Sequence, residues 1–147
     1  MANVAVIDCG SNSTRLLIAS ALAETLQREM RITRLSAGVD ASGHLSPDAL
    51  ERTYDTLALY RGFMDGHDVG RGLVVATSAV RDASNRAEFL VRASEITGVE
   101  SRLLSGDEEA VFSYVGATRG LDADPRPTLV LDKIGRASCR ERVYGRV

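Results

Sequence analysis

The order of the predicted elements indicates an α/β protein built on a mixed β-sheet of about five to six strands, with helices on its faces. Three short apolar segments in close succession predict an antiparallel meander at the N-terminus. After the meander, strands and helices alternate, which is typical of helix-covered parallel strands. A continuous apolar run such as LVVA at residues 73–76 is expected of a buried strand.

The first element is a strand that leads directly into a polar turn. Residues 4–7 are apolar and partly β-branched, and Asp8 follows them. Before a second apolar run begins at Leu16, the turn contains four small residues: Gly10, Ser11, Asn12 and Ser13. Glycine permits a close approach of the backbone to a ligand, and the N–H groups and side-chain donors of such a turn suit a phosphate. Asp8 could hold a hydrated cation beside it. A β-hairpin whose Asn and Ser side chains satisfy their own backbone explains the same residues, so the turn alone leaves both interpretations open.

The next segments predict two more strands of the meander and a long helix. The strands are expected at residues 16–22 and 26–35, although the second pattern also fits a helix. The helix is expected to begin after the N-cap Ser46, because a proline in the first position and Asp48 in the first turn both suit a helix N-terminus. Its apolar stripe runs to about Met64.

Two further helices are predicted from capping boxes, in which the N-cap and the third helical residue cap each other's backbone. The first pairs Asn85 with Glu88 and ends at Gly98. The second pairs Ser105 with Glu108 and ends by Gly120. Strands are predicted around these helices, at residues 73–76, 100–104 and 128–131.

Several polar segments follow the ends of predicted strands. Asp8 and Asp132 stand at the ends of the first and last strands, and polar residues follow Ala76 and Leu104. In α/β sheets ligands collect at the carboxyl ends of the strands. We therefore expect these segments to converge on one edge of the sheet.

The composition is that of an ordinary globular protein. The chain has 147 residues, of which 44% are hydrophobic and 26% charged, enough for one domain with a substantial core. No apolar segment approaches the length of a transmembrane helix, and the N-terminus lacks the pattern of a signal peptide, so a cytoplasmic protein without a membrane partner is expected. Cys9 and Cys139 show no metal-ligand or disulfide spacing, and Cys9 is expected to be buried.

The charge is unevenly distributed. Residues 1–132 carry 13 Arg and 19 Asp or Glu, a net charge of −6, whereas residues 133–147 carry five Lys or Arg and one Glu, a net charge of +4. The acidic body has no basic stripe, so nucleic acid is not an expected partner. A polyanionic ligand would have to be bound by local backbone amides, a few arginines and metal ions.

Two neighbouring glutamates begin the helix after Ser105. Acidic residues in a first turn stabilise the helix dipole, and capping explains Glu108 fully. Glu109 is not needed for the cap, and a carboxylate at a strand end is well placed to activate a water as general base. The spacing alone leaves the dipole role and the catalytic role both open.

Arg81 follows a short run of small residues after the predicted strand at residues 73–76, and Arg15 lies beyond the first polar turn. An arginine in a loop usually pairs with a surface acid, and Asp82 and Glu88 are both available to Arg81. The planar guanidinium also suits phosphate oxygens, and this second interpretation applies to both arginines.

These motifs together resemble the exopolyphosphatase and guanosine pentaphosphatase (Ppx/GppA) family, which belongs to the actin, hexokinase and Hsp70 superfamily. The resemblance covers residues 4–132 and is carried by five segments: IDCGSNSTRLL, GHLSPDALERT, ATSAVRDASNRAEFL, LLSGDEEAVFSYVGA and TLVLD. It implies a ribonuclease H-like (actin-like ATPase) subdomain and magnesium-dependent hydrolysis of phosphoanhydride bonds. The implied substrate is inorganic polyphosphate or guanosine pentaphosphate. A homodimer is the candidate assembly of the intact protein, whose oligomeric state the sequence leaves open.

The resemblance also implies roles for individual residues. Asp8 and Asp132 would hold Mg²⁺, and Glu109 would be the catalytic base. Arg81 would bind phosphate and spread the charge of the transferred phosphoryl group. The phosphate cradle would consist of Gly10, Ser11, Asn12 and Ser13.

The resemblance ends at Asp132. The family continues with a second phosphate loop of the form D-I-G-G-G-S-T, but here the chain reads DKIGRASCRERVYGRV. We therefore interpret residues 1–132 as a truncated N-terminal subdomain and residues 133–147 as an unrelated, artefactual basic tail. Little or no hydrolase activity is expected of this chain. A kinase of the same superfamily and a non-catalytic phosphate sensor are the alternatives, and the SGDEEA segment argues against the kinase.

Overall fold

The computed structural model describes residues 2–119, 130–133 and 141–144. The elements, in chain order, are β1 Asn3–Cys9, β2 Ser13–Ala19, β3 Thr25–Ile32, α1 Val39–Ser42, α2 Pro47–Gly66, β4 Val69–Ala76, α3 Ser78–Arg81, α4 Arg86–Thr97, β5 Glu100–Leu103, α5 Gly106–Thr118, β6 Val130–Lys133 and β7 Glu141–Tyr144. Five strands form one sheet in the order β3-β2-β1-β4-β5. The predicted mixed α/β sheet is therefore confirmed, with five strands.

The N-terminal meander forms as predicted. β1 and β2 are antiparallel, with Asp8 opposite Arg15 and Cys9 opposite Thr14, and β3 pairs antiparallel with β2. The segment that also fitted a helix is thus a strand. Side chains alternate between the two faces of a strand, and Ala5, Ile7 and Cys9 are the residues of β1 that are buried.

The carboxyl ends of β1, β4 and β5 lie at one edge of the sheet. β4 runs parallel to β1, with Cys9 opposite Ala76, and β5 runs parallel to β4, with Ala76 opposite Leu103. The main-chain N–H of Leu104 also donates to the carbonyl of Ala76 at 2.9 Å. The predicted convergence is therefore confirmed for these three strands.

The core lies between the sheet and the pair of helices α2 and α4. Tyr60 of α2 and Phe89 of α4 are its largest fully buried side chains. Each such side chain contributes about 1.5–3 kcal/mol by leaving water. The Tyr60 hydroxyl donates to the carbonyl of Thr14 at 2.9 Å, which ties α2 to β2 without an unsatisfied buried polar group.

All three predicted helix starts are confirmed, at Ser46, Asn85 and Ser105, but only the two serines cap their helices through the side chain. The Ser46 hydroxyl accepts from the N–H of Ala49 at 3.4 Å, and Ser105 and Glu108 form a complete capping box. The capping box predicted at Asn85 is wrong, because that side chain makes no capping bond. Its amide instead accepts from the N–H of Leu45 at 3.0 Å and donates to the Leu45 carbonyl at 3.1 Å. Two bonds to a distant backbone outweigh the single bond that a cap would supply.

The short helices α1 and α3 were not expected from the sequence. Each has four residues, too few for an apolar stripe to show in the sequence. α1 lies in the segment that connects β3 to α2. α3 follows β4 directly and ends at Arg81.

Contacts divide the chain into two compact units, Met1–Leu104 and Ser105–Val147. The second unit contains α5 and an antiparallel pair of β6 and β7, with Asp132 opposite Arg142. The expectation that the strand ending at Asp132 extends the main sheet is wrong, because β6 pairs with β7. The predicted boundary at Asp132 stays a prediction. Among the described residues, no helix combines the length and the apolarity that a membrane span requires.

Candidate phosphate-binding and hydrolytic site

The turn between β1 and β2 is closed by its own backbone. The N–H of Gly10 donates to the carbonyl of Ser13 at 3.1 Å. A Cβ at Gly10 would lie 3.0 Å from that same carbonyl oxygen, closer than nearly all real Cβ contacts. Glycine is therefore needed here for close backbone approach.

The carbonyl groups of this turn are held from the side of β3. The Ser11 carbonyl accepts from the N–H of Ser36 at 2.9 Å, and the Asn12 carbonyl accepts from the N–H groups of Thr33 and Arg34 at 3.1 and 3.0 Å. Within the described part of the chain, the N–H groups of Ser11 and Asn12 make no hydrogen bond. With the carbonyls of Ser11, Asn12 and Ser13 occupied and these N–H groups unpaired, the turn offers hydrogen-bond donors to an anion.

Ser78 joins this turn to the segment that follows β4. The hydroxyls of Ser11 and Ser78 lie 3.0 Å apart and share a hydrogen bond. Ser78 is the first residue of α3, whose last residue is Arg81. The residues that we predicted for phosphate binding in these two segments therefore belong to neighbouring loops.

Arg81 is anchored to the end of β5. Its Nη1 donates to the carbonyl of Leu104 at 2.9 Å, and its main-chain N–H donates to the carbonyl of Thr77 at 3.0 Å. The side chain is half-buried. The alternative role of Arg81, a surface ion pair with Asp82 or Glu88, stays a prediction. The guanidinium is thus held at the sheet edge on which β1, β4 and β5 end.

Asp8 and Arg15 face each other across β1 and β2. They are direct partners in the antiparallel register, so both side chains project from the same face of the sheet. Asp8 is half-buried and Arg15 is exposed. Burial raises the pKa of the neighbouring Cys9 thiol above its usual value, and the Asp8 carboxylate raises that pKa further. Cys9 is therefore a neutral core residue, as predicted, and no nucleophile.

Glu108 and Glu109 lie in the first turn of α5, in the second unit. One carboxylate oxygen of Glu108 accepts from the N–H of Ser105 at 2.9 Å, and the Ser105 hydroxyl accepts from the N–H of Glu108 at 3.1 Å. The structural role predicted for Glu108 is thus confirmed. Glu109 is half-buried, and its Oε2 is shielded from solvent.

The two units divide the predicted site. The first contains Asp8, the turn at residues 10–13, Arg15 and Arg81, and the second contains Glu109 and Asp132. The side chain of Asp132 lies outside the described residues, so its predicted metal role stays a prediction. In the described ranges, no group of three or more His, Cys, Asp or Glu side chains could hold a metal ion.

Ser78 was not predicted as a member of the site. A serine in a run of small residues carries no signal of its own, and its partner Ser11 lies 67 positions away in the chain. The backbone donors at Thr33, Arg34 and Ser36 were not predicted either. No side-chain pattern identifies such donors, because every non-proline residue has an N–H.

Comparisons with known proteins agree with this fold. Exopolyphosphatase 2 of Mycobacterium tuberculosis is 38% identical over 144 residues, which span 90% of this chain and 45% of that protein. A crystal structure of an exopolyphosphatase from Cytophaga hutchinsonii superposes with a TM-score of 0.84 at 28% identity, covering 89% of this chain and 43% of that one. The Ppx/GppA phosphatase of Aquifex aeolicus superposes with a TM-score of 0.80 at 29% identity, covering 99% of this chain and 52% of that one.

The chain thus spans about half the length of the relatives that it matches. The sequence profile of the Ppx/GppA phosphatases matches residues 5–139, which is most of the chain. The profile, the sequence relative and the superposed structures all agree, and the chain belongs to the Ppx/GppA phosphatase family.

Proposed function

We propose that this chain carries half of the active site of a magnesium-dependent exopolyphosphatase, which hydrolyses the terminal phosphoanhydride bond of inorganic polyphosphate. The observation that carries the proposal is the turn at residues 10–13. Its carbonyls at Ser11, Asn12 and Ser13 accept hydrogen bonds, while the N–H groups of Ser11 and Asn12 make none within the described residues. A turn of this kind is built to receive an anion. Family membership and the relatives named exopolyphosphatase support polyphosphate as that anion.

The residues present suit Mg²⁺. Asp8 offers a half-buried carboxylate directly before the turn. Mg²⁺ is commonly held by one or two carboxylates together with waters and substrate phosphates, so a cluster of three protein ligands is not required. Asp8, with Asp132 as the second acid, would hold the ion. When bound, it would neutralise negative charge on the phosphate oxygens.

The protein groups would divide the remaining work. The N–H groups of Ser11 and Asn12 bind phosphate oxygens, and the side chains of Ser13 and Arg15 add further donors. The guanidinium of Arg81 stabilises the charge of the phosphoryl group during transfer. Glu109 orients the attacking water and accepts its proton, so that the water attacks in line with the breaking phosphoanhydride bond.

Polyphosphate binding tests the phosphate half of this proposal. We expect the chain to bind polyphosphate of defined length in isothermal titration calorimetry with Mg²⁺. Arg81→Ala should weaken binding by about tenfold or more, since a hydrogen bond to a charged group contributes about 1.5–3 kcal/mol. Arg92→Ala is the matched control, because Arg92 has the same charge but pairs with Glu95 on the exposed side of α4. Absence of binding, or an equal loss in both variants, would refute the phosphate site.

Phosphate release tests the catalytic half. We propose that turnover by this chain is low, because the residues after Asp132 lack the glycines and hydroxyls of a second phosphate loop. Residual release from labelled polyphosphate should disappear in Glu109→Gln and persist in Glu108→Gln, since Gln also serves in a capping box. Turnover equal to that of a full-length relative would contradict the proposal of low activity. Binding without turnover in every variant would indicate a polyphosphate sensor.

Guanosine pentaphosphate is the second candidate substrate, because the description of the matching family names GppA beside Ppx. The same release assay should be run with both compounds. We expect release from polyphosphate. Release from guanosine pentaphosphate alone would replace polyphosphate as the substrate while leaving the roles of Arg81 and Glu109 unchanged.

A further inference from the structure

We propose that Ser78 is a positioning residue, whose hydroxyl fixes the hydroxyl of Ser11 and thereby keeps the turn at residues 10–13 ready for phosphate. The inference rests on the proposed function for the identity of the ligand. The contact itself does not depend on it, since the two hydroxyls lie 3.0 Å apart in the ligand-free chain.

The bond between Ser11 and Ser78 holds the turn from the side opposite to its other anchors. The carbonyls of Ser11 and Asn12 are held by N–H groups of residues 33–36, which follow β3. Ser78 begins α3, which follows β4. In the sheet, β3 and β4 lie on opposite sides of the β1–β2 hairpin, so the turn is fixed from both directions.

The hydroxyl of Ser11 has an alternative partner if Ser78 is removed. Serine side chains in turns commonly bond to a nearby backbone N–H. The N–H groups of Ser11 and Asn12 are the unpaired donors in this turn. Removing the Ser78 hydroxyl would leave the Ser11 hydroxyl free to rotate and would cut the link between these donors and α3.

The same bond sets the turn relative to Arg81. Ser78 and Arg81 are the two ends of α3, and the Arg81 side chain is anchored to the Leu104 carbonyl at 2.9 Å. Ser78 therefore links the N–H groups that bind phosphate to the guanidinium that would stabilise its charge. Groups held in place before the ligand arrives lose less entropy on binding, which raises affinity.

A double-mutant cycle tests this role. We expect Ser78→Ala and Ser11→Ala each to weaken polyphosphate binding by about three- to tenfold, the effect of one partly shielded hydrogen bond. The double variant should be no weaker than the weaker single variant, because both changes remove the same bond. Ser78→Thr should restore binding, since threonine retains the hydroxyl. Ser84→Ala is the matched control: its hydroxyl also joins two loops, by donating to the Gly43 carbonyl at 2.9 Å, but does not contact the turn.

Hydrogen exchange of the ligand-free chain provides a readout that needs no ligand. We expect the amides of residues 10–13 to exchange faster in Ser78→Ala and at wild-type rates in Ser84→Ala. Unchanged exchange in Ser78→Ala, or additive losses in the double variant, would overturn the inference. If the wild-type chain binds no polyphosphate, the proposed function fails, and the exchange rates still decide whether Ser78 holds the turn.

Discussion

Tyr60→Phe removes one hydroxyl from the centre of the core. Tyr60 has no exposed surface, and its hydroxyl donates to the carbonyl of Thr14 at 2.9 Å. The substitution keeps the ring and nearly the whole volume, so cavity formation contributes little. It deletes one buried hydrogen bond and leaves the Thr14 carbonyl without that donor.

At neutral pH we expect Tyr60→Phe to lower the free energy of unfolding by about 1–2 kcal/mol, the cost of leaving a buried acceptor without its partner. The effect should be larger than that of a surface tyrosine, because water cannot replace the lost donor.

At alkaline pH the same substitution should become less harmful. Burial raises the pKa of Tyr60 to about 12, with smaller and partly opposing effects of Arg31, Glu29 and Cys9. The unfolded chain ionises this tyrosine near pH 10, earlier than the folded one, so wild-type stability is complete below pH 10 and falls as the pH rises toward 12. The loss is about 1.4 kcal/mol at pH 11 and about 2.7 kcal/mol above pH 12. Phenylalanine cannot ionise, so the variant lacks this loss.

Urea denaturation followed by circular dichroism, at several values between pH 8 and pH 11.5, measures both effects. The difference in stability between wild type and Tyr60→Phe isolates the contribution of Tyr60, because the other titrating groups are shared. Tyr114→Phe is the control, since it removes a phenol from the second unit. A wild-type advantage that stays constant from pH 8 to pH 11.5 would refute the reasoning about the buried phenol.

Three further predictions concern the turn, the core thiol and the cap of α5. Gly10→Ala should lower polyphosphate affinity about fivefold or more in calorimetry, because the added Cβ would lie 3.0 Å from the Ser13 carbonyl oxygen. This contact would open the bond from the Gly10 N–H to that carbonyl, which contributes about 1 kcal/mol. Gly62→Ala in α2 is the control, where the Cβ meets nothing within 4 Å and should raise the free energy of unfolding by up to about 1 kcal/mol. Alkylation of Cys9, followed by mass spectrometry of its peptide, should proceed only when the chain unfolds, and rapid labelling of the folded chain would contradict its burial. Ser105→Ala should cost about 1 kcal/mol and speed hydrogen exchange in the first turn of α5, whereas unchanged exchange would mean that the cap contributes nothing.

Local sequence signals predicted the elements whose causes are local. The strand, turn and strand around Asp8 follow from two apolar runs and from the small residues between them, which permit a tight turn. Ser46 and Ser105 begin their helices because a hydroxyl and the N–H three residues later are neighbours in any helix start. The same reasoning placed a helix start correctly at Asn85 but predicted a capping bond that does not form, because Leu45, 40 residues away, supplies two backbone partners.

The amino-acid sequence by itself determined the mixed α/β sheet, the polar turn at the end of β1 and the candidate residues at the strand ends. Only the tertiary structure decided which of them come together. The register of parallel strands places Ala76 beside Cys9, and the Ser11–Ser78 and Arg81–Leu104 bonds join segments far apart in the chain. The tertiary structure also decided that β6 pairs with β7. The physical reason is that these pairings depend on which distant donor, acceptor or strand edge is nearest in space, and spacing along the chain does not specify that.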